Sequence, residues 1–352
     1  MNKTIATAIL GASGYTGAEL LRLLEGHPAF RIVALTGESQ AGKPMESVYP
    51  HLRHRALPPL VKHAEVDFSA IELVFCCLPH GTTQTIIAGL PPHVRIVDLS
   101  ADFRLFDASA YEAWYGHPHQ AMALQHTAIY GITECARTAI ASARLVANPG
   151  CYPTSILLPM LPLVEAGLVD PCSLSANSLS GVSGAGRSVK QEMLFTELEG
   201  GVSAYGIGHH RHMAEIEQEL TKACRTTQPS HPEIRISFTP HLVPITRGML
   251  STIHATLAPN ATVEAVRMQL QQRYANEPFV RVLASGSPST HQVRGTNQCV
   301  ISVHAGRREG EVILISVIDN LGKGTSGQAL QNANRMFGLP ETTNLERTAI
   351  FP

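Results

Sequence analysis

Short apolar runs that end in small or polar residues dominate the first hundred positions of the chain. Their near-continuous apolarity is typical of strands buried on both faces of a parallel sheet. Between the first two runs, leucines at 20, 21, 23 and 24 predict a helix that stops at Gly26-His27-Pro28. The pattern therefore predicts a strand, turn, helix and strand, followed by two more strands of the same sheet. The four predicted strands are residues 5–10, 30–35, 73–78 and 94–99.

The pattern changes after residue 150, where longer stretches alternate apolar and polar residues. Such alternation is typical of an antiparallel or mixed sheet with one buried face. Strands are predicted at residues 173–178, 235–239, 251–257, 299–303 and 312–318, and helices at 213–223, 263–274 and 324–336. We therefore expect an α/β protein with a parallel-sheet domain in residues 1–150 and a mixed-sheet α/β domain in residues 151–319. A C-terminal helix within about residues 320–352 would complete the first domain.

The turn after the first strand carries three glycines at the spacing GxxGxxG, in Gly11-Ala12-Ser13-Gly14-Tyr15-Thr16-Gly17. A glycine turn at a helix N-terminus lets backbone N–H groups approach a pyrophosphate. The alternative is a turn whose glycines only allow close packing of strand and helix. The strand–helix–strand context favours the dinucleotide.

The residues after the second predicted strand bear on the choice of dinucleotide. An acid in this position binds the ribose hydroxyls of NAD, and Glu38 lies there. Ser39, Gln40 and Lys43 follow at once and could hold the 2′-phosphate of NADP instead. A loop lysine is as often simply solvated, so these residues alone leave both cofactors open.

Asn148-Pro149-Gly150-Cys151-Tyr152-Pro153-Thr154 is a tight turn that places a cysteine at a predicted helix start. Pro153 suits the first helical turn, and the apolar run 156–164 supplies the helix body, with Pro159 and Pro162 expected to bend it. Unpaired N–H groups and the positive end of the helix dipole favour a thiolate at this position. The alternative is a buried structural cysteine, which is the commoner fate of this residue type.

Two loops of the second half carry the other candidate chemistry. Gly181-Val182-Ser183-Gly184-Ala185-Gly186-Arg187 is dense in backbone donors, and Gly208-His209-His210-Arg211-His212 is followed by Glu215. The histidines indicate a base for the thiol together with anion-binding neighbours. A metal site is disfavoured because no acidic or cysteine partner stands at ligand spacing. Either loop could also be a plain solvated connector.

Composition narrows the class of protein further. The formal net charge of −1 gives no reason to expect nucleic acid or an anionic membrane as partner. Charged residues make up 16% of the chain, which hints at extensive burial that could include a subunit interface. The seven cysteines are scattered, so reduced thiols in a cytoplasm are expected, and neither a secretory signal nor a membrane span is predicted.

A dinucleotide fold, a nucleophilic cysteine and a histidine together indicate oxidoreduction at the acyl level. The thiolate would expel phosphate from an acyl phosphate, and hydride would then reduce the resulting thioester to an aldehyde. The phosphate and carboxylate groups of such a substrate need cationic partners. The candidates are Arg104, Arg187, Arg211 and Arg247.

Nearly the whole chain resembles the N-acetyl-γ-glutamyl-phosphate reductase family of arginine biosynthesis. The resemblance rests on the glycine turn extended to Leu20, on Asp98-Leu99-Ser100-Ala101-Asp102-Phe103-Arg104 and on the turn around Cys151. Further matching segments are Ala41-Gly42-Lys43, Ser180–Arg187, His210-Arg211-His212, Phe238-Thr239-Pro240-His241-Leu242, Arg247-Gly248, Asp319-Asn320-Leu321 and Lys323-Gly324. Two departures are Met213-Ala214, where the family usually has proline before Glu-Ile, and the loop 36–40.

The resemblance implies an NADP-dependent reductase that works through a thioester. Residues 1–150 would be a Rossmann-type dinucleotide-binding domain, and the catalytic domain 151–319 would assemble the chain into a homodimer or homotetramer. Cys151 would be the nucleophile, and one of His210 and His212 the acid/base, with the other binding substrate. The residues expected at the cofactor are Gly11, Ser13, Gly14, Tyr15, Thr16, Gly17, Ser39, Lys43, Pro79, Gly184 and Asn320. The residues expected at the substrate are Arg104, Asn148, Ser183, Arg187, Arg211 and Glu215. Two alternatives remain, a sibling dehydrogenase acting on aspartyl phosphate and a nucleotide-binding regulatory protein without turnover.

Overall fold

The computed structural model describes residues 4–351 and divides into two compact units. The first unit contains the chain up to Pro149 and the returning segment Thr325–Glu346. The second contains Gly150–Gly324 and the tail from Arg347 onward. Each unit is built around its own seven-stranded sheet.

The regular elements are numbered here in chain order. The strands are β1 (Ile5–Leu10), β2 (Phe30–Thr36), β3 (Leu60–Val61), β4 (Leu73–Cys76), β5 (Arg95–Asp98), β6 (Ile129–Tyr130), β7 (Leu145–Ala147), β8 (Ser175–Gly181), β9 (Ser203–Ala204), β10 (Ser237–Val243), β11 (Met249–Thr256), β12 (Val280–Val282), β13 (Cys299–Ala305) and β14 (Glu311–Ile318). The helices are α1 (Tyr15–Leu23), α2 (Met45–Val48), α3 (Thr83–Ala88), α4 (Ala108–Tyr115), α5 (Met122–Gln125), α6 (Thr133–Ser142), α7 (Cys151–Glu165), α8 (Phe195–Leu198), α9 (His212–Arg225), α10 (Val263–Tyr274) and α11 (Gly327–Met336).

The sheet of the first unit is entirely parallel, in the order β3-β2-β1-β4-β5-β7-β6. Its central strands are apolar on both faces, which is why they read as unbroken apolar runs in the sequence. The strand order reverses direction at β1, since β2 lies on one side of it and β4 on the other. In such sheets ligands bind outside the carboxyl ends of the strands at this switch point.

The sheet of the second unit is mixed, in the order β12-β13-β14-β11-β8-β10-β9. The pairs β8–β10 and β12–β13 are parallel, and the other pairs are antiparallel. The helix α7 packs on β11 and β14 and is flanked by α9 and α10. Burial alternates along β11, where Met249, Ser251, Ile253 and Ala255 are buried, as the sequence pattern predicted. The α/β fold with a parallel and a mixed sheet is confirmed.

Element boundaries differ from the sequence expectation where local caps take over. The α1 helix begins at Tyr15, inside the glycine turn, because Gly14 serves as its N-cap. The strand expected from residue 173 begins at Ser175, because Asp170 accepts the N–H of Cys172 (2.9 Å) and forms a short 3₁₀ turn over Pro171–Ser173. The helix expected at 324–336 begins at Gly327, after a π-helical turn. Within residues 4–351, no helix is both long enough and apolar enough to cross a membrane.

Candidate active site

Cys151 is the first residue of α7, as the sequence predicted. Gly150 is the N-cap in an extended conformation (φ −67°, ψ 156°), and its carbonyl accepts both the N–H and the hydroxyl of Thr154 at 2.9 Å. Every residue from Tyr152 to Val164 is buried, whereas Cys151 is half-buried. Pro159 and Pro162 lie inside a helix that continues without interruption to Glu165. The thiol therefore lies at the positive end of a rigid, buried helix.

The imidazole of His212 packs on the backbone that precedes Cys151. His212 is the first residue of α9, and a methyl group added at Gly150 would lie 2.6 Å from its Nε2. Only glycine therefore allows this close approach. The sequence predicts a turn at Gly150 but not its contact with the imidazole, because the ring comes from a segment 62 residues away.

Glu215 connects α9 to the start of α7. Its side chain is fully buried; Oε2 accepts the N–H of Gly150 at 3.1 Å, and Oε1 lies 3.9 Å from Nε2 of His212. The carboxylate thus holds the histidine and the nucleophile turn in one arrangement. In this position it acts on its neighbours in the protein, and the expected contact with substrate stays a prediction.

His210 lies in an aromatic pocket beside His212. Its ring centroid is 4.8 Å from that of His212 and 5.5 Å from those of Tyr152 and Tyr205. Its Nδ1 accepts the backbone N–H of His212 at 3.2 Å, so the neutral ring carries its proton on Nε2. Burial, with the charges of Arg211 and His209, lowers the pKa of His210 to about 4. His210 is therefore a neutral hydrogen-bond donor at physiological pH.

The pocket around His210 is closed by two tyrosines that sequence analysis did not single out as site residues. The hydroxyls of Tyr152 and Tyr205 lie 2.9 Å apart. Burial raises the pKa of both phenols, that of Tyr205 to about 12. Both hydroxyls therefore remain protonated donors. Tyr152 adjoins Cys151 and could have been suspected, whereas nothing in the sequence marks Tyr205.

The glycine-rich loop after β8 meets the chain that follows β14. Asn320 donates from Nδ2 to Oγ of Ser183 (2.9 Å), and its Oδ1 accepts the N–H of Gly248 (2.9 Å). Gly184 is adjacent, since a methyl group there would lie 3.6 Å from Nδ2 of Asn320. The predicted residues Ser183, Gly184 and Asn320 thus come together in the second unit. The candidate Arg247 pairs with the buried Asp319 (3.0 Å), which also accepts the N–H groups of Leu321 and Gly322.

Gly324 completes the surroundings of the cysteine within the second unit. A methyl group added there would lie 2.9 Å from Cβ of Cys151 and 3.2 Å from Cδ1 of Ile318. The absence of a side chain at this position is thus required for Cys151 to occupy its place. The dipeptide Lys323-Gly324 is visible in the sequence, but its contact with Cys151 is not, because the two lie far apart along the chain.

The structure explains the three glycines of the first turn in different ways. Gly11 has a positive φ of 78°, and a methyl group there would lie 2.5 Å from the carbonyl oxygen of Cys77. A methyl group at Gly17 would lie 2.5 Å from Cα of Ala12. At Gly14, the N-cap of α1, the nearest atom is 3.6 Å away, so packing does not require glycine. Packing therefore does not explain glycine at position 14, and its expected contact with the cofactor stays a prediction.

The loop after β2 carries Glu38, Ser39 and Lys43, the residues that bear on the choice of dinucleotide. The carboxylate of Glu38 accepts the backbone N–H of His63 at 2.9 Å and lies 2.8 Å from its Nδ1, and these bonds lower the pKa of Glu38. The acid is thus turned toward His63. Ser39 lies in the same 3₁₀ turn, and Nζ of Lys43 lies 3.0 Å from Oε1 of Gln40. The cationic group is consequently held beside the loop that ends β2.

The remaining predicted residues are divided between buried and exposed positions. Arg104 and Asn148 are buried; Arg104 donates to the carbonyls of Asn148 (2.8 Å) and Leu99 (3.1 Å), and Asn148 donates to that of Thr325 (3.0 Å). In the structure both side chains thus brace the carboxyl edge of the first sheet. Arg187 and Arg211 are exposed, and Ser13, Tyr15, Thr16 and Pro79 lie at or near the switch point. The ligand contacts of all these residues stay predictions.

Comparisons with known proteins agree with this architecture. Residues 6–143 match the family described as "Semialdehyde dehydrogenase, NAD binding domain", and residues 151–320 match "Semialdehyde dehydrogenase, dimerisation domain". Among solved structures, aspartate semialdehyde dehydrogenase II from Vibrio cholerae superposes with a TM-score of 0.69 at 17% identity, covering 96% of this chain and 99% of that one. The corresponding enzyme of Candida albicans, solved with NADP, gives 0.67 at 16% identity, with coverage of 95% and 99%. At these identities the likeness establishes the fold.

Curated relatives are much closer in sequence. The chain is 52% identical over 351 residues to the probable chloroplastic N-acetyl-gamma-glutamyl-phosphate reductase of Arabidopsis thaliana, covering 99% of this chain and 86% of the relative. It is 52% identical over 358 residues to the N-acetyl-gamma-glutamyl-phosphate reductase of Rhodospirillum rubrum, covering all of both chains. The chain belongs to the N-acetyl-gamma-glutamyl-phosphate reductase family.

Proposed function

We propose that this chain reduces N-acetyl-γ-glutamyl phosphate to N-acetylglutamate 5-semialdehyde with NADPH and releases phosphate. The observation that carries the proposal is the placement of Cys151 at the start of α7 with His212 packed on the preceding glycine. A nucleophile at a helix N-terminus beside an imidazole is what acyl transfer through sulfur requires. A regulatory protein that only binds nucleotide requires neither group.

The first half-reaction forms a thioester on Cys151. His212 takes the thiol proton, and Sγ attacks the acyl carbon of the substrate. The bond between that carbon and the phosphate oxygen breaks, and phosphate leaves. His212 is assigned the proton because its Nε2 adjoins the backbone of Gly150 and lies 3.9 Å from the buried carboxylate of Glu215, which stabilises the imidazolium.

The second half-reaction releases the aldehyde. NADPH supplies the hydride that reduces the thioester carbon. The carbon–sulfur bond then breaks, and His212 returns its proton to the departing thiolate. His210, which is neutral with its proton on Nε2, donates a hydrogen bond to a substrate oxygen. This divides the two histidines into a proton carrier and a binding group.

The first unit offers features that fit the cofactor. The N-terminus of α1 with the open Gly14 fits a pyrophosphate, and Ser39 with Lys43 fits a 2′-phosphate. Glu38, the acid that would bind the ribose hydroxyls of NAD, instead pairs with His63. NADP is therefore the cofactor.

The sibling reaction on aspartyl phosphate is the second candidate. The solved aspartate semialdehyde dehydrogenases share the fold at 13–17% identity, whereas curated relatives at 47–52% identity carry the N-acetyl-gamma-glutamyl-phosphate reductase name. Sequence similarity therefore favours the longer, acetylated substrate. The match of residues 151–320 to a dimerisation domain supports assembly into a homodimer or homotetramer. The odd number of scattered cysteines supports a reducing, cytoplasmic location.

The assay that tests this function runs the reaction in reverse. Purified chain, N-acetylglutamate semialdehyde, phosphate and NADP should produce NADPH, measured at the nicotinamide absorbance, and omission of phosphate should stop steady-state turnover. Turnover with aspartate semialdehyde alone would transfer the assignment to the sibling reaction. No turnover with either aldehyde would support the regulatory alternative.

Lys43 sets the preference for NADP over NAD. We expect Lys43→Ala to raise the KM for NADP by about tenfold, because one charge-assisted contact to the 2′-phosphate is lost. The KM for NAD should stay unchanged. Lys62, an exposed lysine on a neighbouring loop, is the matched control, and Lys62→Ala should alter neither value. An equal change in both KM values for Lys43→Ala would contradict the assignment.

Gly324 makes the room that Cys151 needs. We expect Gly324→Ala to lower kcat by about tenfold to a hundredfold, because a methyl group 2.9 Å from Cβ of Cys151 displaces the nucleophile. Gly201→Ala is the control, since the nearest atom to a methyl group there is 3.7 Å away. The chain should stay folded in both variants by circular dichroism. Wild-type kcat in Gly324→Ala would show that the cysteine tolerates displacement.

A further inference from the structure

Two buried carboxyl groups near the carboxyl end of β5 have no role in the reaction described above. Asp98 is the last residue of β5, and Asp102 lies in the turn that follows. Both side chains are completely buried. A buried carboxyl group destabilises the fold unless hydrogen bonds compensate for its lost hydration. The hydrogen bonds of each group therefore indicate what it does.

Asp102 binds the turn that follows β4. Its Oδ1 accepts the N–H of Gly81 (2.8 Å) and lies 2.6 Å from Nδ1 of His80, and its Oδ2 accepts the N–H (3.0 Å) and the hydroxyl (2.7 Å) of Thr83. The hydroxyl of Tyr111 lies 3.4 Å from Oδ1. Burial alone would raise the pKa of Asp102, but the bonds from His80, Gly81 and Thr83 outweigh it and hold the pKa well below its usual value. Asp102 is therefore ionised.

The hydroxyl groups between the two carboxyls require a proton on Asp98. Thr83 gives its only hydroxyl proton to Asp102. The contact of 2.9 Å between Oγ of Ser100 and Oγ1 of Thr83 must then use the proton of Ser100. Oγ of Ser100 also lies 2.8 Å from Oδ2 of Asp98, and that contact has a proton only if Asp98 supplies it. A neutral Asp98 thus gives each of the three oxygen–oxygen contacts between Asp98 and Asp102 one proton.

The environment of Asp98 agrees with this proton count. Burial raises the pKa of Asp98 to about 7, with the charge of Asp102 adding to the rise and that of Arg104 opposing it. The neighbouring thiols of Cys76 and Cys77 stay un-ionised, since burial raises the pKa of both. Below about pH 7 the pair therefore holds one negative charge, and Asp102 carries it.

The turn that Asp102 fixes borders the glycine turn of the first unit. The N–H of Cys77 donates to the carbonyl of Leu10 (2.8 Å), and Gly11 packs on the carbonyl of Cys77 so closely that a methyl group would lie 2.5 Å from it. Residues 77–83 thus form one wall of the place where the pyrophosphate is expected, and Pro79 was predicted to contact the cofactor. Displacing this wall would change the cofactor site.

We propose that Asp102 is a positioning residue for NADPH binding that fixes residues 77–83, as the ionised member of a buried pair whose other member, Asp98, carries a proton. The inference rests on the proposed function, since it assumes that NADPH binds at the glycine turn. Asp98 and Asp102, four positions apart, thus have opposite protonation states. The same substitution, Asp to Asn, therefore has opposite expected results at the two sites.

At Asp98 the substitution reproduces the existing hydrogen bonds. The amide N–H of Asp98→Asn can donate to Ser100 where the carboxyl O–H donates now, and its oxygen can accept the backbone N–H of Ser100, as Oδ1 does at 3.0 Å. At Asp102 the substitution places an NH₂ group, which cannot accept a hydrogen bond, opposite groups that donate to the carboxylate now. In one orientation the NH₂ group would face the N–H and the hydroxyl of Thr83. In the other it would face the N–H of Gly81 and Nδ1 of His80.

The experiment measures NADPH affinity by the fluorescence of the bound cofactor. We expect Asp102→Asn to raise the Kd for NADPH by at least about tenfold, since a buried donor is left opposing a donor. Asp98→Asn should leave the Kd within about twofold of wild type. Thr83→Val, which removes one donor to Asp102 at nearly constant volume, should raise the Kd less, and it decides the question if Asp102→Asn does not fold.

A control separates positioning from general stabilisation. Asp107 caps α4 in the same unit by accepting the N–H of Ala110 (2.8 Å), so Asp107→Ala, which removes this acceptor, should lower the melting temperature and leave the Kd unchanged. In Thr83→Val, KM for NADPH should rise while kcat at saturating NADPH stays near wild type.

The proton on Asp98 has a separate thermodynamic signature. Because its pKa in the folded protein is above the value in the unfolded chain, folding keeps a proton that unfolding releases between about pH 4 and pH 7. The free energy of unfolding of the wild type should therefore fall with rising pH across this window, relative to that of Asp98→Asn. A constant difference between the two proteins would overturn the assignment of the proton.

Two results would overturn the positioning role of Asp102. One is wild-type NADPH affinity in Asp102→Asn, or in Thr83→Val if Asp102→Asn does not fold. The other is an equal loss of affinity in Asp98→Asn and Asp102→Asn. Failure of the wild type itself to bind NADPH would instead contradict the proposed function, and this inference with it.

Discussion

Replacing Cys151 with serine is expected to abolish turnover, with a loss of at least about a thousandfold in kcat. A hydroxyl at the same place is a far weaker nucleophile at neutral pH, since its pKa lies well above that of a thiol and no thioester can form. The fold should not change, because serine is nearly isosteric and Cys151 is only half-buried. The measurement is steady-state NADPH formation from the semialdehyde, NADP and phosphate.

The control for this variant is an exposed cysteine of the second unit. Cys172 lies in the 3₁₀ turn Pro171–Ser173, away from α7, and Cys172→Ser should keep wild-type kcat. Substoichiometric alkylation near neutral pH should modify Cys151 before Cys172 and inactivate the chain in proportion. If Cys151→Ser retained more than a few per cent of turnover, the nucleophile would have to be another group.

The second large effect is expected at the histidines, which should respond differently. His212→Asn should lower kcat by about a hundredfold to a thousandfold, the range of general acid–base catalysis, with little change in KM for the aldehyde. His210→Asn should mainly raise that KM, because a neutral donor to substrate is lost. The measurement is the separation of kcat from KM in the reverse assay.

The pH profile distinguishes the two histidines again. The pKa of His210 is lowered to about 4, so this residue stays neutral and does not titrate across the working range. The pH dependence of kcat in His210→Asn should accordingly match that of the wild type. His209→Asn is the control, since His209 is exposed and its Nδ1 lies 2.8 Å from the carbonyl of Ile207. A loss of kcat in His210→Asn larger than in His212→Asn would exchange the roles.

His210 also affects stability. Its pKa is lower in the folded protein than in the unfolded chain. Its contribution to the free energy of unfolding is therefore complete above about pH 6.5 and is lost as the pH falls toward about 4. The sign is opposite to that of Asp98, whose raised pKa makes stability fall as the pH rises. The two groups lie in different units and titrate in overlapping windows.

Much of the fold could be read from the sequence because burial leaves a simple pattern there. The strand β1 and the helix α10 have the predicted bounds, since each is an apolar or amphipathic run between clear caps. Short elements such as β6 and α5 were missed because two to four residues carry too little periodicity. Their positions are fixed by tertiary contacts, as where Gln125 donates to the carbonyl of Phe103 (3.0 Å).

The candidate site divides in the same way. The nucleophile could be predicted because one turn and one helix, continuous in sequence, define it. The contact of His212 with Gly150 could not be predicted, because the two residues are 62 positions apart and the contact depends on the absence of a side chain at Gly150. The buried bonds of Asp102 were equally invisible, although the segment that contains it was recognised. Spacing along the chain reports which chemistry is present, and packing decides which groups meet.

The thioester on Cys151 is the central claim, and single-turnover kinetics without phosphate test it most directly. With aldehyde and NADP but no phosphate, the acyl group has no acceptor and should remain on the enzyme. The prediction is a rapid burst of one NADPH per chain and a mass increase of one N-acetylglutamyl group on the peptide that contains Cys151. Continued turnover without phosphate, or a burst with no acyl group on that peptide, would contradict the account.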